Sequence, residues 1–159
     1  MDVKELIDRY AAGDRNFPEI DLSNADLQQV DLSQCNLNGA NLSGCDLRGA
    51  NLRQVSLAEA NLSWANLEGA HLLEASLNGA NLESANLNKA LLDGANLFGA
   101  NFTRADLRGA DLKMADLTEA DLSFANLDGA NLWGAYLTGT KVKYAIGLQT
   151  VNPPVDESK

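Results

Sequence analysis

Ala40-Asn41-Leu42-Ser43-Gly44 runs directly into Cys45-Asp46-Leu47-Arg48-Gly49. The two stretches share one order: a small residue, an Asn or Asp, a Leu, then two variable positions. Worked outward, this order continues with a period of five from Phe17 to Val142, and the phase never slips. It makes 26 consecutive units, of which 23 have Leu at the centre; the exceptions are Phe17, Phe102 and Val142. Between Ile20 and Thr140, 19 of the 25 residues two before a centre are Ala, and Asn or Asp precedes the centre in 20 of the 26 units.

The period excludes the ordinary elements. Five residues of an α-helix turn the chain by about 140°, so the leucines would spiral and form no stripe. A strand has period two, and an odd period sends successive leucines to opposite faces. The remaining solution is a chain that turns once per unit and aims every centre at a common interior, which is a solenoid. Glycine marks the corner. Of 13 glycines, 11 lie two residues after a centre, where a type II turn demands positive φ.

Units such as Ala40-Asn41-Leu42-Ser43-Gly44 and Ala110-Asp111-Leu112-Lys113-Met114 resemble the pentapeptide repeat family, over roughly four-fifths of the chain. The resemblance implies an all-β solenoid, a right-handed quadrilateral β-helix with four units, or 20 residues, per coil. About six coils at strand spacing would make a rod roughly 30 Å long. Centres and the small residues before them should point inward. Residues 1–14 are expected to form an N-terminal capping α-helix, with Asp2 and Glu5 at its start and an apolar stripe of Val3, Leu6, Ile7 and Tyr10. Residues 15–144 form the repeat β-helix. Residues 145–159 form a C-terminal cap and flexible tail, and Val142, Tyr144, Ile146, Leu148 and Val151 would fold over the last coil before Asn152-Pro153-Pro154.

Composition narrows the function. Net charge is −10, from 22 acidic and 12 basic residues, which disfavours direct nucleic-acid binding. No apolar run approaches 18 residues and the start is charged, so neither a membrane span nor an export signal is expected, and a cytoplasmic protein is. Cys35 and Cys45 stand at inward positions on opposite walls and read as buried small hydrophobes. His71, the only histidine, stands at an Asn/Asp position and reads as an exposed substitution. Asp106, Asp111, Asp116 and Asp121 lie five apart, on four different faces, and cannot share one ion. No nucleophile and base set or phosphate loop is assembled. No cofactor, metal or catalysis is expected.

Outward positions carry what remains. Counting in twenties, the face centred on Phe17, Leu37, Leu57, Leu77, Leu97, Leu117 and Leu137 shows Glu19, Glu59, Asp116 and Glu119 with no Lys or Arg. Phe98, Phe124, Trp133, Tyr136 and Tyr144 are outward, and Trp133 and Tyr136 should flank one corner, with Leu73, Leu91 and Met114 outward on the face of Trp133. The candidate partner surface is Trp133, Tyr136, Phe98, Glu59, Asp116 and Glu119. The reading is a non-enzymatic interaction or scaffold protein with an unidentified protein partner, as a monomer or weak end-to-end dimer, similar to cyanobacterial family members. The alternative is a DNA mimic that binds bacterial gyrase or topoisomerase, as quinolone-resistance members do. Charge density counts against it: the repeats from Asn16 to Lys143 hold 16 acidic and 8 basic residues, or −8, whereas 30 Å of B-DNA carries roughly −18. Quinolone-resistance members dimerise through a C-terminal helical extension, and no helix of that length is read here.

Overall fold

The computed structural model describes residues 1–149; the expectations for Val151, Asn152-Pro153-Pro154 and the tail lie outside them. The residue before each centre pairs in parallel with the residue 20 further on, from Asn16 with Asn36 to Asn126 with Ile146. One turn per five residues and a register of 20 give four turns per circuit. The sides are too short for extended strands, and each contributes one paired residue per coil. We number the faces in chain order: face 1 carries Leu37, face 2 Leu42, face 3 Leu47 and face 4 Leu52. The corner that ends a face takes both numbers, so Gly44 lies at corner 2–3.

In an interior unit with Asn or Asp before its centre every backbone amide finds an acceptor, and this explains the sequence order. In the unit Asn61–Ala65, Leu62 N donates to Asn81 O at 2.7 Å and Trp64 N to Glu83 O at 2.9 Å, both on the next coil. Asn61 N reaches back to Ala40 O at 2.9 Å, and Ala65 N closes the turn on Leu62 O at 3.1 Å. Only Ser63 N has no carbonyl within reach, and it donates to Asn61 Oδ1 at 3.1 Å. A side-chain acceptor two residues earlier is what Asn and Asp supply. Nineteen of the 20 Asn and Asp residues at that position accept this bond. The exception is Asn16, whose partner would be Pro18, a residue with no N–H. In most places where an Asn follows one coil on, its Nδ2 donates down the column, as Asn41 does to Asp21 at 3.0 Å and Asn101 to Asn81 at 3.1 Å.

The core is a column of leucines separated by alanines, with Phe102 and Leu107 wholly buried beside Ala100 and Ala105 at 0% and 1%. Burying each Leu contributes about 1.5–3 kcal/mol before chain entropy is counted. Cys35 and Cys45 take the small inward position as free thiols. Burial pushes the Cys35 thiol up to about 11 and raises that of Cys45, so neither is a nucleophile at neutral pH.

The corners follow the second variable position. All 15 non-glycine residues with positive φ stand there, from Glu19 to Tyr144. Glycine has a further use that periodicity alone conceals. A side chain at one corner lies along the rod over the same corner of the next coil, so a Cβ on Gly39 would sit 3.3 Å from Glu19 Cγ, whereas one on Gly99, which follows Gly79, would meet nothing within 4 Å. Long residues therefore alternate with Gly down a corner, or they stack on a specific partner. At corner 4–1, Gln34 donates to Gln54 at 3.0 Å and Gln54 to Glu74 at 2.8 Å, with Gly94 next.

At the N-terminus, α1 spans Val3–Ala11, with Asp2 accepting from Glu5 N at 2.8 Å. Leu6 is fully buried and Val3 and Tyr10 are partly so, while Ile7 is 44% exposed. The apolar stripe is thus narrower than expected, because one helix flank faces solvent. Tyr10 Oη donates to Asp31 Oδ1 at 3.1 Å, and the Arg15 guanidinium lies 3.7 Å from the centre of the Tyr10 ring. At the other end, residues 142–146 continue the coil instead of folding across it: Leu127 N donates to Ile146 O at 2.8 Å, and Val142, Tyr144, Ile146 and Leu148 are exposed.

Three outcomes test this account. Ala85 is 1% exposed, so Ala85→Phe should cost about 3 kcal/mol or more through overpacking; an unchanged melting temperature would refute the inward assignment. Gly99→Ala should cost about 1–2 kcal/mol for the left-handed backbone alone, and Gly39→Ala measurably more in denaturant titration, with the excess removed by Glu19→Ala. Backbone N–H donors hold the Asp21 and Asp31 carboxyls below the ordinary carboxylate range, and the Arg48 and Arg108 guanidinium groups do so for Asp46 and Asp106. A depressed folded pKa adds stability that is complete above the unfolded value near ~3.9 and is lost as pH falls through the folded value. The melting temperature should be flat from neutrality to about pH 5 and fall below about pH 4, less steeply in Asp46→Asn with Asp106→Asn.

Candidate partner-binding surface

The repeat presents its variable residues at fixed places, and the expected surface residues sort accordingly. Trp133 is the first corner residue after Leu132, and Tyr136 precedes Leu137 on the next face; Ala135 between them is buried and closes the turn on Leu132 O at 3.0 Å. The two rings therefore flank corner 4–1, with Trp133 59% and Tyr136 47% exposed. Met114 belongs with them. Its side chain lies over Gly134, the glycine of that corner, and it is itself exposed. Lys113 Nζ stands 5.5 Å from the centre of the Trp133 ring. Leu73 and Leu91, expected outward on this face, are half-buried between coils.

The remaining candidates are less uniform. Tyr136 pairs with Asp116 across one coil step, so that carboxylate sits beside the ring. Its Oδ1 accepts from Thr118 N at 3.0 Å and the residue is half-buried, which makes Asp116 an architectural residue first. Glu119 is exposed at the end of the same face and lies over Gly139. Phe98 is exposed, but one coil separates it from the coil of Tyr136. Glu59 is three coils from Glu119 at the same corner, roughly 14 Å along the rod, and belongs to no cluster with it. Trp133, Tyr136 and Met114 are brought together at corner 4–1; Glu119 stands at the other end of face 1, and Phe98 and Glu59 lie on other coils.

Elsewhere the surface is largely used by the fold. His71 is half-buried in the column between Asn51 and Leu91, less open than its position implied. Asp106, Asp111, Asp116 and Asp121 each accept from the amide two residues on, one on each face. Among the described residues no group of three or more His, Cys, Asp and Glu is placed to hold a metal ion, and no helix is long and apolar enough to cross a membrane. Sequence reasoning missed Trp64, which at 71% is the most exposed large apolar side chain of the described residues. The signal was available, since Trp64 occupies the corner position two after Leu62.

The model for pentapeptide repeats matches residues 16–54, 35–72, 75–113 and 115–146. No curated protein matches. Among solved structures, HetL, a pentapeptide repeat protein involved in heterocyst differentiation regulation in the cyanobacterium Nostoc sp. strain PCC 7120, is 31% identical over 95% of this chain and 99% of its own, with a TM-score of 0.31. The pentapeptide repeat protein alr5209 of Nostoc PCC 7120 is 42% identical over 70% of this chain and 82% of its own, with a TM-score of 0.41. QnrB1, a plasmid-mediated fluoroquinolone resistance protein, is 22% identical over 83% of this chain and 84% of its own, with a TM-score of 0.37. With the repeat model matched along most of its length, the chain belongs to the pentapeptide repeat family.

Proposed function

We propose that this protein is a non-enzymatic scaffold that binds a protein partner at corner 4–1 and along face 1. The observation that carries the reading is the exposed trio of Trp133, Met114 and Tyr136 across one corner, on a rod whose Asn and Asp positions are taken up by the corner amides. Trp and Tyr are among the residues that carry most of an interface's energy, and Met is enriched at interfaces. Asp116 beside Tyr136, and Glu119 across face 1, ask for basic residues on the partner. In the same reading the rod is right-handed with about six coils, residues 1–14 cap its first coil, residues 15–144 form the repeat domain and residues 145–159 close the other end. The protein is taken as cytoplasmic, and as a monomer or weak end-to-end dimer.

Partner capture with the immobilised full chain tests the proposal. A retained protein should be lost with Trp133→Ala and with Tyr136→Ala, and kept with Trp64→Ala, each variant melting within a few degrees of the parent. Retention indifferent to Trp133 and Tyr136 would reject the surface. The gyrase-mimic alternative is read in the same series. Inhibition of gyrase supercoiling at low micromolar protein, weakened by Glu59→Lys, Asp116→Lys and Glu119→Lys together, would replace the scaffold reading.

A further inference from the structure

Two sets of cations on this acidic rod differ in how firmly they are held. Arg48 and Arg108 are held by their own units: Arg48 Nη2 lies 2.6 Å from Asp46 Oδ2, Arg108 Nη2 lies 2.6 Å from Asp106 Oδ2, and each Nε adds a second bond. Lys4 is held by Asp8 at 2.6 Å, and Arg9 pairs with Asp14. The second group is loosely held. Arg104 Nη1 is 3.7 Å from Glu83 Oε1, Lys141 Nζ is 3.9 Å from Asp121 Oδ2, and Lys143 makes no ion pair among the described residues. These three share the C-terminal end of face 2 and its corner 2–3, diagonally across the rod from Trp133.

They are interleaved with exposed aromatic rings. Down corner 2–3 no glycine follows Arg104; the column runs Arg104, Phe124, Tyr144. The Arg104 guanidinium stands 5.4 Å from the centre of the Phe124 ring, the Phe124 and Tyr144 rings are 5.1 Å apart at 34°, and Lys143 Nζ is 5.1 Å from the centre of the Tyr144 ring. Phe124 is 49% and Tyr144 66% exposed. The stack spans two coil steps, roughly 10 Å along the rod, the length of about three residues of extended chain.

We infer that the Arg104–Phe124–Tyr144 stack, flanked by Lys141 and Lys143, is a second docking surface, which takes an extended acidic segment of a partner protein. Charge complementarity selects the occupant: three cations stand together at one edge of a molecule of net charge −10. The ion pairs of Arg104 and Lys141 are long and exposed, so exchanging them for a ligand's carboxylates costs little. The rings give an apolar side chain of the segment a platform between those carboxylates. The inference does not depend on the Trp133 corner.

The test uses the full chain and a fluorescent oligoglutamate peptide carrying one phenylalanine, followed by anisotropy. Saturable binding is expected, weakened about tenfold by raising salt to about 0.5 M. Lys141→Glu with Lys143→Glu should weaken it at least about tenfold, and Tyr144→Ala should weaken it several-fold. Lys89→Glu with Lys113→Glu, which changes net charge equally at other corners, should have a much smaller effect. Absence of binding, or equal loss in the two charge-reversed variants, would overturn the proposal. Tighter binding of a labelled single-stranded oligonucleotide, lost with Lys141 and Lys143, would assign the stack to nucleic acid instead. If Asp156→Asn with Glu157→Gln strengthens peptide binding about tenfold, the occupant is the chain's own C-terminal segment.

Discussion

The first corner residue of a unit, except at Pro18, has an amide that no backbone carbonyl reaches, and the molecule depends on how that amide is satisfied. The other four amides are taken by the coil before, the coil after, or the turn itself. In most units the fifth is met by an Asn or Asp two residues upstream, whose side chain has the reach of one carbonyl group, and Ala58 N is met instead by Asn38 of the preceding coil. The chain thereby closes a solenoid from sides too short to be strands. Its polar consensus and its apolar consensus have the same origin: Leu fills the interior, Ala leaves room for it, and Asx pairs what the turn leaves open.

This arrangement leaves a narrow margin for function. Asn and Asp side chains that look available as ligands are occupied by corner amides, and several carry a second bond down the column. Asp116 shows the consequence, an acidic residue beside Tyr136 whose carboxylate already serves Thr118 N. What is free to vary is the pair of corner residues. Exposed aromatics and unspent charge accordingly collect there, at Trp133 and Met114 on one corner and at Arg104, Phe124 and Tyr144 on the opposite one.

Corner chemistry is also constrained along the rod. A long side chain lies over the next coil, so it requires a glycine beneath it or a partner that stacks with it. The Gln34–Gln54–Glu74 ladder and the Arg104–Phe124–Tyr144 stack are the two places where consecutive long residues are accommodated by such partners. Ladder and stack differ in consequence. Amides that bond to one another satisfy themselves, while a guanidinium over an exposed ring keeps most of its hydrogen-bonding capacity for a ligand.

Period five, the small residue before each Asx and the glycine at the corner determined, from sequence alone, a solenoid with inward leucines, because neither helix nor strand geometry accommodates that spacing. The same letters placed Trp133 and Tyr136 on either side of a corner and kept Cys35 and Cys45 inside. Tertiary structure decided what depends on the residue 20 positions away. It joined Met114 to Trp133 across Gly134, set Glu59 apart from Glu119, and left Ile7 exposed and Leu73 half-buried. It also divided the arginines into those held by a neighbouring Asp and those left loosely paired, as with Arg108 and Arg104. A five-residue pattern specifies which way a side chain points, but contacts along the rod are made between coils, and the register between coils is set by backbone pairing that no single unit contains.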